Sequence, residues 1–166
     1  NKKAAVLTLL LDALKGWLPV WALQRVEPLA PQWVVAVVAL AAFVGHVWPV
    51  FFRFKGGKGV ATAAGVLFGV YPILGLATLS TWIIVAVFLR YSSLAALSAA
   101  VFGPIYFVFL FGFQPVGLAL LVICLLLIWR HKSNIQNLLN GTESCIGTKK
   151  DQKNHQNQKI KPKENT

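Results

Sequence analysis

Apolar residues in this chain come in long blocks separated by short polar links. Val34–Val44, Ala61–Tyr71, Ile83–Leu89 and Val116–Trp129 contain no charged residue. A helix needs about 20 mostly apolar residues to cross the hydrocarbon core of a bilayer. Ala4–Leu23, Trp33–Phe52, Leu94–Leu110 and Val116–Trp129 each approach that length. The run from Val60 to Leu89 is too long for one simple span, and Pro72 disfavours an uninterrupted helix through it. It divides into a short helix over 60–71 and a second over 74–89. The pattern predicts an all-α, polytopic transmembrane bundle with about six spans.

Loop charge orients the spans. With Lys2 and Lys3 inside, the inside ends also hold Arg53, Lys55, Lys58, Arg90, Arg130 and Lys132, whereas Arg25 alone falls outside. Lys and Arg concentrate on the cytoplasmic side of membrane proteins. Merging 60–89 into one span would put Arg90 outside, together with the C-terminal segment and its six lysines. The basic loops and the C-terminus are therefore expected on the cytoplasmic side of the membrane.

Composition agrees: 57% of the 166 residues are apolar, against about 45–50% in soluble domains. The net charge of +11 invites a nucleic-acid reading. The charges, however, sit at the ends of apolar runs and in the last twenty residues, so no nucleic-acid partner is expected. Cys124 lies in an apolar run and Cys145 in a polar one, with no CxxC pair. The chain begins at Asn1 and contains no Met, so its natural N-terminus is expected upstream. Residues 1–146 read as the membrane domain. Residues 147–166 read as a disordered basic tail, either solvated or grazing anionic lipid headgroups.

Three constellations carry chemistry. In Phe54-Lys55-Gly56-Gly57-Lys58-Gly59-Val60-Ala61-Thr62, glycines expose consecutive amides ahead of a helix N-terminus, an arrangement that binds anions. A flexible positive-inside loop has the same composition, and the Walker A spacing is absent. Gly45-His46-Val47-Trp48-Pro49 places a histidine inside an apolar span, where it either packs against a neighbouring helix or contacts substrate. Trp129-Arg130-His131-Lys132-Ser133-Asn134 brings a cation, an imidazole and an amide together where a span leaves the membrane. A basic membrane anchor is the other reading. No paired carboxylates, GxSxG elbow or metal-ligand spacing occurs, so no metal is expected.

Taken in order, Gly45-His46-x-x-Pro49-x-Phe51, Phe54-Lys55-Gly56-Gly57-Lys58-Gly59-Val60-Ala61-Thr62 and Arg130-His131-x-x-Asn134-Ile135 resemble the bacterial acyl-phosphate-dependent glycerol-3-phosphate acyltransferases. Lys2-Lys3-Ala4-Ala5, Asp12-x-x-Lys15-Gly16 and Tyr91-Ser92-Ser93-Leu94 fit as well, so the likeness covers residues 2 to 143. The resemblance implies transfer of a fatty acyl group from acyl-phosphate to the 1-position of glycerol 3-phosphate, giving lysophosphatidic acid. It implies a seven-helix membrane fold, with the six spans here matching the second to seventh. Lys58, His131 and Asn134 are the implied catalytic residues. His46, Lys55, Gly56, Gly57, Gly59, Thr62 and Arg130 are the implied substrate-binding residues. No cofactor is expected, since acyl-phosphate is already activated; the partners are the two substrates and membrane lipids.

The sequence departs from the family pattern at its start. The family's first span and the serine-, asparagine- and arginine-bearing loop after it are not in this sequence, which begins where that loop should end. A chain lacking that loop is expected to have little or no activity. An anion or phosphate-ester transporter is the alternative function, because broken helices and basic pockets occur in such carriers. Polar motifs confined to one face favour the enzyme.

Overall fold

The structure, a computed structural model, describes residues 2–49 and 56–147. These residues form helices α1 (Lys2–Val26), α2 (Gln32–Val47), α3 (Val60–Val70), α4 (Pro72–Leu89), α5 (Ser92–Phe111), α6 (Pro115–Arg130) and α7 (Lys132–Leu139), with no strand among them. Proline and glycine set most of the boundaries. Pro31 precedes α2, while Pro72 and Pro115 occupy the first turns of α4 and α6, where a missing N–H costs nothing. Gly59 before α3 and Gly112 after α5 have φ of 82° and 73°. Arg90, the C-cap of α4, is the single non-glycine residue with positive φ among the described residues, at 60°. The carbonyl of Ile146 holds it there, accepting bonds from Arg90 Nε and Nη2 at 3.2 and 2.8 Å.

The apolar runs are helices as their pattern predicts, but their lengths differ. By length and composition α1, α4 and α5 can each cross a membrane, and α6 can do so together with α7 across a 57° bend. Helices α2 and α3 are shorter. At about 1.5 Å per residue, the 11 residues of α3 rise about 16 Å, roughly half a hydrocarbon core. The 60–71 run is thus a half-length helix that turns back at Tyr71, where Gly75 of α4 faces the ring of Phe68.

Shortness is compatible with α3 because the bundle encloses it. Thr62, Ala63, Gly65, Val66, Leu67, Gly69 and Val70 are buried, and α3 packs most extensively on α1. The two run parallel: Thr62 Oγ1 donates to the carbonyl of Asp12 (3.0 Å), and Gln24 Nε2 donates to that of Gly69 (3.1 Å). The approach is backbone to backbone. A Cβ on Gly16 would strike the Thr62 carbonyl, and one on Gly65 the Ala13 carbonyl. Small residues permit such contact, which substitutes for the hydrophobic driving force absent in lipid.

Phe43, Phe107, Leu74, Leu120, Ile123, Val66 and Val20 form the buried centre. The outer faces are equally apolar: Leu10, Leu14, Ile84, Phe88, Phe109, Leu118 and Leu125 are exposed. Apolar surface this extensive is a lipid-facing surface. Polar tertiary bonds gather at one end. There the start of α3, the α4–α5 turn, the α6–α7 junction and the chain after α7 are tied together. Trp48 and Trp129 meet at 6.1 Å near this end, with Lys132 Nζ 5.9 Å from the Trp129 ring, as expected at a membrane interface. The C-terminal residues 148–166, expected to be a tail, lie outside the described residues.

Candidate active site

The loop before α3 lies against the end of α2, and only glycine fits there. A Cβ on Gly56 would run into the carbonyls of His46 and Val47. Gly59 combines its left-handed φ with a close neighbour, since a Cβ there would sit within 2.9 Å of Phe43 Cζ, so a side chain is excluded twice over. The loop is pinned from the other side by Arg130, whose Nη2 donates to the carbonyls of Gly56 at 2.9 Å and Gly57 at 3.2 Å.

A polar chain crosses this end of the bundle. Lys58 Nζ donates to Asn134 Oδ1 at 2.5 Å. Asn134 Nδ2 donates to Glu143 Oε1 at 2.7 Å, and that oxygen also accepts from Ser93 Oγ at 2.7 Å. Three stretches distant in sequence, around Lys58, Ser93 and 134–143, thus converge on one cation–amide–carboxylate relay. The Ser93 hydroxyl holds the Glu143 carboxyl below its ordinary range, with the Asn134 and Asn137 amides and the Lys58 charge assisting. Lys58 itself is exposed, so its charge is available to an anion from outside.

His131 caps α6 and is 2% exposed. Its Nδ1 lies 2.8 Å from the Leu127 carbonyl. A carbonyl can only accept, so Nδ1 carries the proton and Nε2 is left as an acceptor. Burial lowers its pKa, and nearby Lys58 lowers it further against opposing contributions from the Leu127 carbonyl and Glu143. The net effect favours the neutral imidazole.

A cleft of about 460 Å³ opens on the other side of the glycine loop, lined by Lys15, Ala41, Ala42, Gly45, His46, Pro49, Gly56 and Gly57. Lys15 Nζ bonds Asp12 Oδ1 at 2.8 Å, and His46 Nδ1 lies 3.6 Å from the same oxygen. The larger cavity, about 790 Å³ around Phe109, Phe113 and Leu118, lies at the opposite end and is apolar. Its lining offers no charged group for phosphate chemistry.

Of the residues singled out from sequence, Lys58 and Asn134 touch, and His131 lies within electrostatic range of Lys58. Arg130 reaches Gly56 and Gly57, and His46 lies against Gly57. Thr62 points into α1 rather than the cleft. Lys55 lies outside the described residues. Sequence reasoning did not assign Asp12, Lys15, Ser93 or Glu143 to the site. For Glu143 a signal existed: it follows Gly141, which at φ 66° turns the chain back after α7, and its N–H bonds the Asn137 carbonyl at 3.2 Å. No group of three potential metal ligands occurs among the described residues.

An apolar helical bundle with cations, an imidazole and exposed glycine amides at one interfacial end is an integral membrane protein built to handle anionic substrates at the lipid–water boundary. The chain belongs to the glycerol-3-phosphate acyltransferase family, whose model matches residues 1–141. The glycerol-3-phosphate acyltransferase of Burkholderia pseudomallei (strain K96243) is 63% identical over 152 residues, covering 90% of this chain and 74% of that protein. That of Burkholderia vietnamiensis is 62% identical over the same length, covering 71% of the relative. Among solved structures, the chain is similar to PlsY (YgiH), an integral membrane glycerol 3-phosphate acyltransferase. Its glycerol 3-phosphate form superposes with a TM-score of 0.84 at 39% identity, covering 89% of this chain and 73% of that one. Its lysophosphatidic acid form gives 0.82 at 40% identity. The protein is thus a membrane-embedded acyltransferase.

Proposed function

We propose that the relay end of the bundle transfers a fatty acyl group from acyl-phosphate to the 1-hydroxyl of glycerol 3-phosphate. The observation that carries this reading is the Lys58–Asn134 bond, which joins the glycine loop to the α6–α7 junction beside neutral His131. Relatives named for glycerol 3-phosphate acylation and a neighbour solved with glycerol 3-phosphate and with lysophosphatidic acid support the substrate and the product. Both phosphates must be held where lipid meets water, and this end supplies Lys58, Lys15 and the glycine amides for that purpose.

The hydroxyl oxygen attacks the acyl carbonyl carbon, the carbonyl oxygen gains negative charge, and the carbon–oxygen bond to phosphate then breaks. Preorganised cations and amides stabilise that charge. Lys58 and Asn134 face the developing charge, and His131 lines the site with its free Nε2. The donor is already activated, so no serine or cysteine nucleophile is needed. The hydroxyl proton passes to substrate phosphate. Substituting His131 and finding that the pH–rate profile loses its low-pH limb, the one set by a general base, would count against this last step.

The relay end faces the cytoplasm of a bacterial plasma membrane. Lys58, Arg90, Arg130 and Lys132 lie at that end, against Arg25 at the other. Residues 147–166 are not required for turnover. The test, like the other turnover assays below, is made on purified protein in detergent that includes the upstream segment expected before Asn1, and it asks for donor choice. Palmitoyl phosphate and glycerol 3-phosphate are expected to give lysophosphatidic acid, while palmitoyl-coenzyme A gives none. Equal or preferential use of the thioester refutes the proposed donor.

A further inference from the structure

Arg130 has no ion-pair partner among the described residues; its Nη2 donates to two consecutive backbone carbonyls, those of Gly56 and Gly57. The described peptide bonds are all trans, so in each peptide plane the N–H points away from the C=O. With both carbonyls turned to Arg130, the amides of Gly57 and Lys58 face the opposite direction. Neither amide has a backbone acceptor among the described residues. His46 lies close beside Gly57, where a Cβ would come within 2.9 Å of its Nε2. Four residues after Arg130, Asn134 takes the Lys58 ammonium. One stretch of chain therefore grips the loop twice, by its backbone at 56–57 and by its side chain at 58.

We infer that Arg130 is a positioning residue that acts through the Gly56–Gly57 peptides and Lys58, not a cation that touches substrate. The inference rests on the acyl-transfer reading for its kinetic consequence, but not for its structural one. Released from Arg130, the two peptides can rotate, and the amides and Lys58 lose their common aim. Displacements of about 1 Å in a catalytic array cost on the order of a hundredfold in rate.

Two measurements on purified protein in detergent test this, with Arg130→Gln as the principal variant. The first is amide hydrogen exchange over residues 56–62. Arg130→Gln is expected to speed exchange there while helices α4 and α5 keep their protection. Unchanged loop exchange overturns the inference whether or not the preparation turns over substrate. The second is kinetic. Arg130→Gln and Gly57→Ala are each expected to lower kcat, by roughly 10–100-fold, with KM for glycerol 3-phosphate little changed. The double variant is expected to be no slower than the worse single one, because residues acting as one unit are not additive. Multiplying effects, or a loss confined to KM, overturn the inference in favour of direct substrate contact. Should Arg130→Gln fold poorly, Arg130→Lys serves in its place. It keeps the charge but loses the rigid guanidinium plane, so a positioning role predicts reduced kcat, and a simple cation role predicts near-normal kinetics. Failure of the unsubstituted protein to use acyl-phosphate would strike the functional reading alone, since loop exchange still decides the role of Arg130.

Discussion

Replacing Lys58 with Ala separates catalysis from stability cleanly. Lys58 is exposed and makes one tertiary bond, to Asn134 Oδ1 at 2.5 Å. Exposed contacts of this kind contribute about 0–1 kcal/mol to folding. Asn134 keeps its bond to Glu143, and Glu143 keeps Ser93, so the rest of the relay stays closed. The catalytic loss is of another size. Removing one preorganised group that faces developing charge costs about 3 kcal/mol, roughly a hundredfold or more in kcat. Lys58→Ala is therefore expected to lower kcat by about two orders of magnitude while its melting temperature in detergent stays within a few degrees of the unsubstituted protein. The assay is lysophosphatidic acid formation from palmitoyl phosphate by purified, monodisperse protein, with melting followed on the same samples. A variant within a few-fold of normal kcat removes Lys58 from the site. Lost activity together with lost cooperative melting shows that the lysine holds the fold instead.

Gly65→Val is expected to destabilise the bundle by at least roughly 1–3 kcal/mol, because a Cβ at that position meets the Ala13 backbone; unchanged melting would show that α1 and α3 can separate without loss. Glu143 and His131 both have lowered pKa values in the fold, so both favour the deprotonated folded state. Their contribution is complete above their unfolded values and fades as pH falls, first through the histidine window below 6.5 and then through the carboxylate window below 4.5. Melting temperature should accordingly fall on acidification, with a smaller fall below 6.5 in His131→Gln; identical curves refute a buried neutral imidazole. Ser93→Ala removes the principal support of the Glu143 carboxylate and is expected to lower the melting temperature at neutral pH and to shrink its fall below pH 4.5; an unchanged fall refutes that support. Deleting residues 147–166 should leave insertion and turnover unchanged, and loss of either in detergent-purified protein would show that the tail has a structural or catalytic part.

Helices were legible because lipid imposes a simple rule: backbone groups must be satisfied within each span, and apolar runs must be long. The break at Tyr71-Pro72 came from proline chemistry, and it holds. The shortness of α3 was legible as well; what the pattern did not reveal was its backbone-to-backbone packing on α1. An apolar run has the same composition whether it faces lipid or neighbouring helices, and the stacking of Gly65 on Ala13 is a tertiary fact. In the site, the glycine loop and the Arg130–Asn134 segment stood out because polar residues at membrane ends are conspicuous. Their joining through Lys58 and Asn134 lay beyond local spacing, since the partners are 76 residues apart. Ser93 and Glu143 stayed hidden for the same reason, being 50 residues apart. Arg130 was visible as a cation, but that its partners are backbone carbonyls could be learned only from the fold.

The central claim is that this interfacial end joins an activated acyl group to glycerol 3-phosphate with release of phosphate. The most direct measurement follows both products at once, using purified protein, palmitoyl phosphate and radiolabelled glycerol 3-phosphate. Labelled lysophosphatidic acid and inorganic phosphate are expected in equal amounts, with both rates falling together in Asn134→Ala. Phosphate release without labelled lipid, or labelled lipid formed at an undiminished rate by Asn134→Ala, would contradict it.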